Sequence, residues 1–68
     1  MPIISFEAGQ LSEAVKADLI EKLTNTAVEV TGISKQLFFV AIREYPDNSI
    51  AVGGKTVAQL KQEVAAKP

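Results

Sequence analysis

Residues 37–42 read Leu-Phe-Phe-Val-Ala-Ile, an apolar run with no alternation. A strand that is apolar at every position is buried on both faces. The chain has only 68 residues with which to cover them. A domain this small buries about 60% of its unfolded surface, and its own core contributes roughly 3–5 kcal/mol. Small domains make up the difference with disulfides, a metal or partner subunits. Cys and His are both absent, so no disulfide, thiolate or imidazole ligand exists, and only carboxylates could hold a metal. Association between chains is the remaining staple. The 47% hydrophobic content agrees, because it is more apolar surface than one small body hides.

The rest of the chain places that strand in an α/β domain spanning 1–68. Ile3 to Glu7, β-branched and aromatic, reads as the first strand, and Ala8-Gly9-Gln10 as a turn. Ser12 is a helix cap with Glu13 in the first turn, where an acid suits the helix dipole. Val15, Leu19, Leu23, Ala27 and Val30 then recur at helical spacing, widened by Ile20. Lys16, Asp18, Glu21, Lys22 and Asn25 fall on the opposite side, and Gly32 stands where a left-handed C-cap belongs. Arg43, Glu44 and Tyr45 extend the apolar strand toward water. Pro46-Asp47-Asn48 is a turn, Ile50-Ala51-Val52 a very short strand, and Gly53-Gly54 its break. Thr56 to Gln59 has the capping-box pattern, and Val57, Leu60 and Val64 share a face of a terminal helix, which frays over residues 65–68. Strand, long helix, strand is a βαβ unit with parallel strands and a right-handed crossover. One helix covers one face of its two-stranded sheet. The other face must meet another subunit.

Composition excludes several classes of function. A net charge of −1 does not supply the basic face of a nucleic-acid binder. No apolar run approaches the length of a membrane span, and the N-terminus lacks the basic start and apolar core of a signal peptide. The expected location is the cytoplasm. Without Cys or His there is no Cys–His pair, Ser–His triad or imidazole acid–base group. Gly53-Gly54-Lys55-Thr56 ends like a phosphate loop but lacks the earlier Gly at the required spacing. Glu7, Glu44 and Asp47 show no spacing that pairs them for acid–base work and read as surface charges.

One unusual group remains, Met1-Pro2. Methionine is commonly trimmed before a small residue, which here exposes a prolyl amine. An α-amino group titrates near roughly 7.7–8.0, and an apolar pocket lowers that value because desolvation disfavours the ammonium. The product is a neutral base near physiological pH. On Met-Pro alone, a proline that merely opens a strand is the simpler reading.

Pro2-Ile3-Ile4 at the start of a strand, a long helix, an apolar strand ending in Arg43-Glu44, and Ile50-Ala51-Val52-Gly53-Gly54-Lys55 together resemble the 4-oxalocrotonate tautomerase family over nearly the whole chain. The short Ala8–Ser12 connection and the Val-Gly-Gly-Lys sequence are closest to its DmpI-like members. The resemblance implies keto–enol proton transfer on a small unsaturated 2-oxo acid or enol, with Pro2 as the general base and neither cofactor nor metal. It also implies sheets paired into dimers, and a homohexamer in preference to a dimer.

The chain departs from the family at its substrate contacts. A first family arginine aligns with Gln10, or with Leu11 if the gap is set otherwise. A second aligns with Phe39, and an aromatic wall residue aligns with Ile50. These arginines bind the substrate carboxylate and carbonyl, so a dicarboxylate substrate does not fit. Phe39 and Ile50 read either as core or as a pocket wall. Arg43, two pleats from Phe39 on one strand face, reads either as a replacement cation or as a solvent-facing strand end, and Lys16 as helix-surface charge. The alternative function is a non-catalytic oligomeric small-molecule-binding protein on the same scaffold.

Overall fold

The computed structural model describes residues 1–66. Strand β1 (Ile3–Ala8) leads into helix α1 (Glu13–Thr31), and β2 (Phe39–Glu44) returns alongside β1. A hairpin of β3 (Ala51–Val52) and β4 (Lys55–Thr56) and the helix α2 (Val57–Ala66) follow. β1 and β2 pair in parallel, Ile3 opposite Phe39 through Ala8 opposite Glu44. β3 and β4 pair only with each other. This is the expected βαβ unit with an appended hairpin and helix.

Side chains at the element boundaries explain where the helices begin and end. The Ser12 hydroxyl accepts the Val15 N–H (3.2 Å), which supplies a partner for one of the orphan donors of the first turn. Gly32 ends α1 at φ 72°, and its N–H donates to the Val28 carbonyl (2.8 Å); a Cβ disfavours that left-handed geometry. Thr56 and Gln59 form a reciprocal box. The Thr56 hydroxyl accepts the Gln59 N–H (3.1 Å), and Gln59 Oε1 accepts the Thr56 N–H (2.8 Å).

Several boundaries differ from the sequence reading. β1 continues through Ala8, a residue expected in the turn, and β2 ends at Glu44, one residue before Tyr45. Leu37 and Phe38 are not in the strand. Residues 35–37 form a single 3-10 turn closed by the Leu37 N–H on the Ser34 carbonyl (3.0 Å), and an apolar run alone does not separate such a turn from a strand. Ile50 precedes β3 instead of opening it. Helix α2 continues through Ala66, so residues 65 and 66 are helical, and the expected fraying of residues 67 and 68 lies outside the described residues.

Within β2 the side chains do alternate. Val40 and Ile42 are half-covered beneath α1, while Phe39, Ala41 and Arg43 are exposed with Ile3, Ser5 and Glu7 on the opposite face. Leu19, Leu23 and Ala27 of α1 are partly covered, but Val15 is 51% exposed and Val30 80% exposed. The covered face of the helix is therefore rotated to include Lys16 and Thr24, the latter being the one buried residue among those described.

Among the described residues no hydrophobic side chain is fully buried in the protomer. Its accessible surface is 5293 Å², whereas a compact protein of its mass exposes about 4,200 Å². Its radius of gyration is 16.2 Å, against roughly 11 Å for a compact domain of this length. The protomer measures 49 × 22 × 18 Å. The hairpin and α2 form a unit of their own, held to the 46–49 turn by the Ala58 N–H on the Asp47 carbonyl (3.1 Å) and by Lys61 on the Asp47 carboxylate (2.8 Å). The surplus surface is comparable to the ~800 Å² that one partner contributes to a standard interface. No helix among the described residues is long and apolar enough to cross a membrane.

Candidate active site

Pro2 immediately precedes β1 and is half-buried. Its carbonyl accepts the Phe39 N–H (3.0 Å), so Pro2 belongs to the parallel ladder although it donates nothing to it. Phe39, the first residue of β2, lies beside it and is 52% exposed. These two candidate residues meet at the N-terminal edge of the sheet. Met1 is 85% exposed. While Met1 is attached, the Pro2 nitrogen is a tertiary amide without basicity; once Met1 is removed it is a secondary amine.

The other candidates lie elsewhere in the protomer. Arg43 is four residues along β2 from Phe39, about 13 Å at the usual strand rise. It lines an open depression of about 150 Å³ with Ser5, Phe6, Glu7 and Ala41. Gln10 is exposed beyond the C-terminal end of β1. Ile50 leads into the hairpin, where its carbonyl accepts the Val57 N–H (2.9 Å). One chain therefore brings together Pro2 and Phe39, while Gln10 and Arg43 belong to the other end of the sheet.

That other end carries a cluster the sequence reading passed over. The Leu11 N–H donates to Glu44 Oε1 (2.7 Å), and Lys16 Nζ donates to Glu44 Oε2 (3.2 Å) while lying 3.3 Å from Glu13 Oε1. The Lys16 and Glu44 side chains are about a quarter exposed, at 25% and 28%. The Leu11 N–H, and after it Lys16, holds the Glu44 carboxyl below its ordinary value. The hydrogen bonds to Glu44 and then Glu13 raise Lys16. Neither Lys16 nor Glu44 is a free surface charge. The signal was topological: α1 runs back against the strands, so its first turn must lie beside the end of β2. Close by, the Tyr45 hydroxyl donates to Glu7 Oε1. Among the described residues, no group of three carboxylates converges as a metal site would require.

A sheet edge that opens on proline, backed by one helix and followed by a Gly-Gly hairpin, defines a small α/β protein of the tautomerase fold. The profile of the family described as tautomerase enzyme matches residues 2–60, and the chain belongs to this family. Among solved structures it is similar to TomN, a 4-oxalocrotonate tautomerase homologue of the tomaymycin biosynthetic pathway. The two are 31% identical, with 90% of this chain and 95% of TomN covered and a TM-score of 0.86. It is similar to DmpI from Helicobacter pylori at 28% identity, covering 90% and 97% of the two chains, with a TM-score of 0.78. A heterohexameric 4-oxalocrotonate tautomerase from Chloroflexus aurantiacus, 23% identical over 88% of this chain and 97% of its own, shares the fold with a TM-score of 0.76. Comparison with curated protein sequences gives no significant match.

Proposed function

We propose that the protein is a cofactor-independent tautomerase in which the amine of Pro2, freed by removal of Met1, is the general base. The observation that carries this reading is the placement of Pro2: half-buried, tied to β2 through its carbonyl, and the first residue of the segment that matches the tautomerase family. The amine takes the proton of an enol hydroxyl. The O–H electron pair becomes the C=O π bond, and the C=C pair takes a proton from the prolinium at the neighbouring carbon. The amine is regenerated and no proton is gained or lost. Pro2 is the one group in the chain that can act as a neutral base near pH 7 without a large shift, since lysine amines and tyrosine phenols ordinarily titrate near roughly 10 and carboxylates, near roughly 4, are weak bases.

Phe39 and Ile50 form an apolar wall in this reading, which favours neutral or monoacid enols over diacids. Ile50 and Gln10 reach the Pro2 of a neighbouring subunit in this reading, since in their own chain neither is brought to the Pro2 edge, and Arg43 is the solvent-facing end of its strand. The functional unit is accordingly a homo-oligomer, a hexamer in preference to a dimer. The surplus exposed surface and the absence of a buried apolar core among the described residues support this. The experiment that tests the catalytic role compares enol ketonisation by trimmed, Met1-retaining and Pro2→Ala proteins, each verified as folded and assembled. Equal rates in all three would transfer support to the non-catalytic binding protein.

A further inference from the structure

An enol acid brings a carboxylate to the site, and a carboxylate that leaves water needs a cation or several donors. The basic side chains of the described residues can be accounted for one by one. Lys16 is held by Glu44 (3.2 Å), Lys22 by Asp18 (3.0 Å), Lys55 by Glu63 (2.6 Å) and Lys61 by Asp47 (2.8 Å). Lys35 and Arg43 are the two described basic side chains with no such partner among the described residues. Arg43 stands about 13 Å along β2 from the Pro2 edge.

Lys35 stands at that edge. It begins the 3-10 turn that leads into β2 and is exposed. The Phe38 N–H donates to its carbonyl (3.3 Å), and the next N–H, that of Phe39, donates to the Pro2 carbonyl (3.0 Å). Two hydrogen bonds thus link the backbones of Lys35 and Pro2. A closed turn brings its end Cα atoms within about 7 Å, and paired strands lie about 4.8 Å apart. The flexible four-carbon stem of lysine and the length of a small 2-enol acid span what remains.

Resting on the assignment of Pro2 as the base, we propose that Lys35 is the substrate-binding cation of the site. It pairs with the carboxylate of a small monoacid 2-enol or 2-oxo acid whose neighbouring carbon exchanges its proton with Pro2. One cation beside the apolar Phe39 accommodates one carboxylate, so the substrate class is a monocarboxylate.

The test uses assembled, Met1-trimmed protein as wild type, Lys35→Met, Lys35→Arg, Arg43→Met and Pro2→Ala. The substrates are the enol of phenylpyruvate and the enol of its methyl ester, which differ only in the charge. Lys35→Met should raise KM for the acid by about tenfold, the scale of a lost charge-assisted contact. It should leave kcat and both constants for the ester near wild type, Lys35→Arg should restore the acid KM, and Arg43→Met should change neither. Binding of the phenylpyruvate anion by calorimetry should weaken by the same factor in Lys35→Met, a readout independent of turnover. The proposal is overturned if Lys35→Met leaves that binding unchanged, affects acid and ester alike, or if Arg43→Met alone impairs the acid. Unaltered turnover by Pro2→Ala would instead remove Pro2 as the base, and the calorimetric comparison would still decide the carboxylate contact.

Discussion

Lys16 Nζ lies 3.2 Å from Glu44 Oε2, joining the first turn of the long helix to the last residue of the second strand. The other Glu44 oxygen holds the Leu11 N–H, so one carboxylate also secures the loop that enters the helix. Glu44→Gln keeps an acceptor for Leu11 and loses the charge facing Lys16, and it should lower Tm by a few degrees at neutral pH. The folded value of Glu44 is depressed, so its contribution is present above the ordinary carboxylate range and disappears as pH falls through that folded value. Lys16 is raised, so its contribution is present below the ordinary lysine range and is lost as pH rises through its folded value. Thermal melts of wild type and Glu44→Gln across the acid range check this. Their Tm values should converge at the lowest pH, and a gap that stays constant with pH would contradict the account.

Removing the aimed amine should be costly to turnover and cheap in stability. Pro2→Ala leaves a primary amine that is more flexible, and enol ketonisation should fall by about 10²-fold or more, the scale of a positioned acid–base group. Retaining Met1 should do at least as much harm. Sedimentation should find the same assembly in both proteins, since Pro2 opens a strand and fills no core.

The protomer should have no stable folded form alone. Ile3 and Phe39 are 66% and 52% exposed, and covering each such side chain fully contributes roughly 1.5–3 kcal/mol. Ala41→Asp, which sets a charge in the middle of the open face, should disperse the assembly and abolish the cooperative melt. Sedimentation of wild type at low micromolar concentration is the complementary measurement, and a compact folded monomer there would refute the prediction.

Substrate preference should follow the apolar character of Phe39 and Ile50. The enol of a monoacid should be turned over with a higher kcat/KM than the corresponding diacid. Steady-state kinetics on a matched pair decides it. A wide margin in favour of the diacid would require a second cation, and Arg43 would be the residue to substitute next.

The α2 cap offers a check on local structure. Thr56→Ala removes the hydroxyl that accepts the Gln59 N–H and should cost about 1 kcal/mol, measured by denaturant unfolding of the assembled protein at fixed concentration.

The βαβ order, the Ser12 and Gly32 ends of α1 and the Thr56–Gln59 box were legible because each rests on local chemistry that neighbouring residues carry. The start of β2 was not, because Leu37 and Phe38 are as apolar as the strand they precede and only the Ser34 and Lys35 carbonyls close them into a turn. The rotation of α1 was missed for a different reason. Lys16 counts as polar in a periodicity argument, yet its stem reaches over the sheet edge to Glu44. Pro2 and Phe39 could be listed from the sequence, but their adjacency depends on the Ile3–Phe39 register, which is a property of pairing between strands far apart in the chain. Lys35 carries no motif at all. It becomes notable only when the partners of the other lysines are known.

The hydrogen bond from the Phe39 N–H to the Pro2 carbonyl has a consequence for how position 2 is held in space. Most ionisable groups in proteins hang on rotatable side chains and must be ordered by packing around them. The nitrogen at position 2 is part of the main chain, enclosed in a five-membered ring, and its residue is moored by the sheet itself. Its location is therefore inherited from the backbone, with no rotamers to freeze. Changes to the surrounding side chains should alter what the nitrogen meets more readily than where it points.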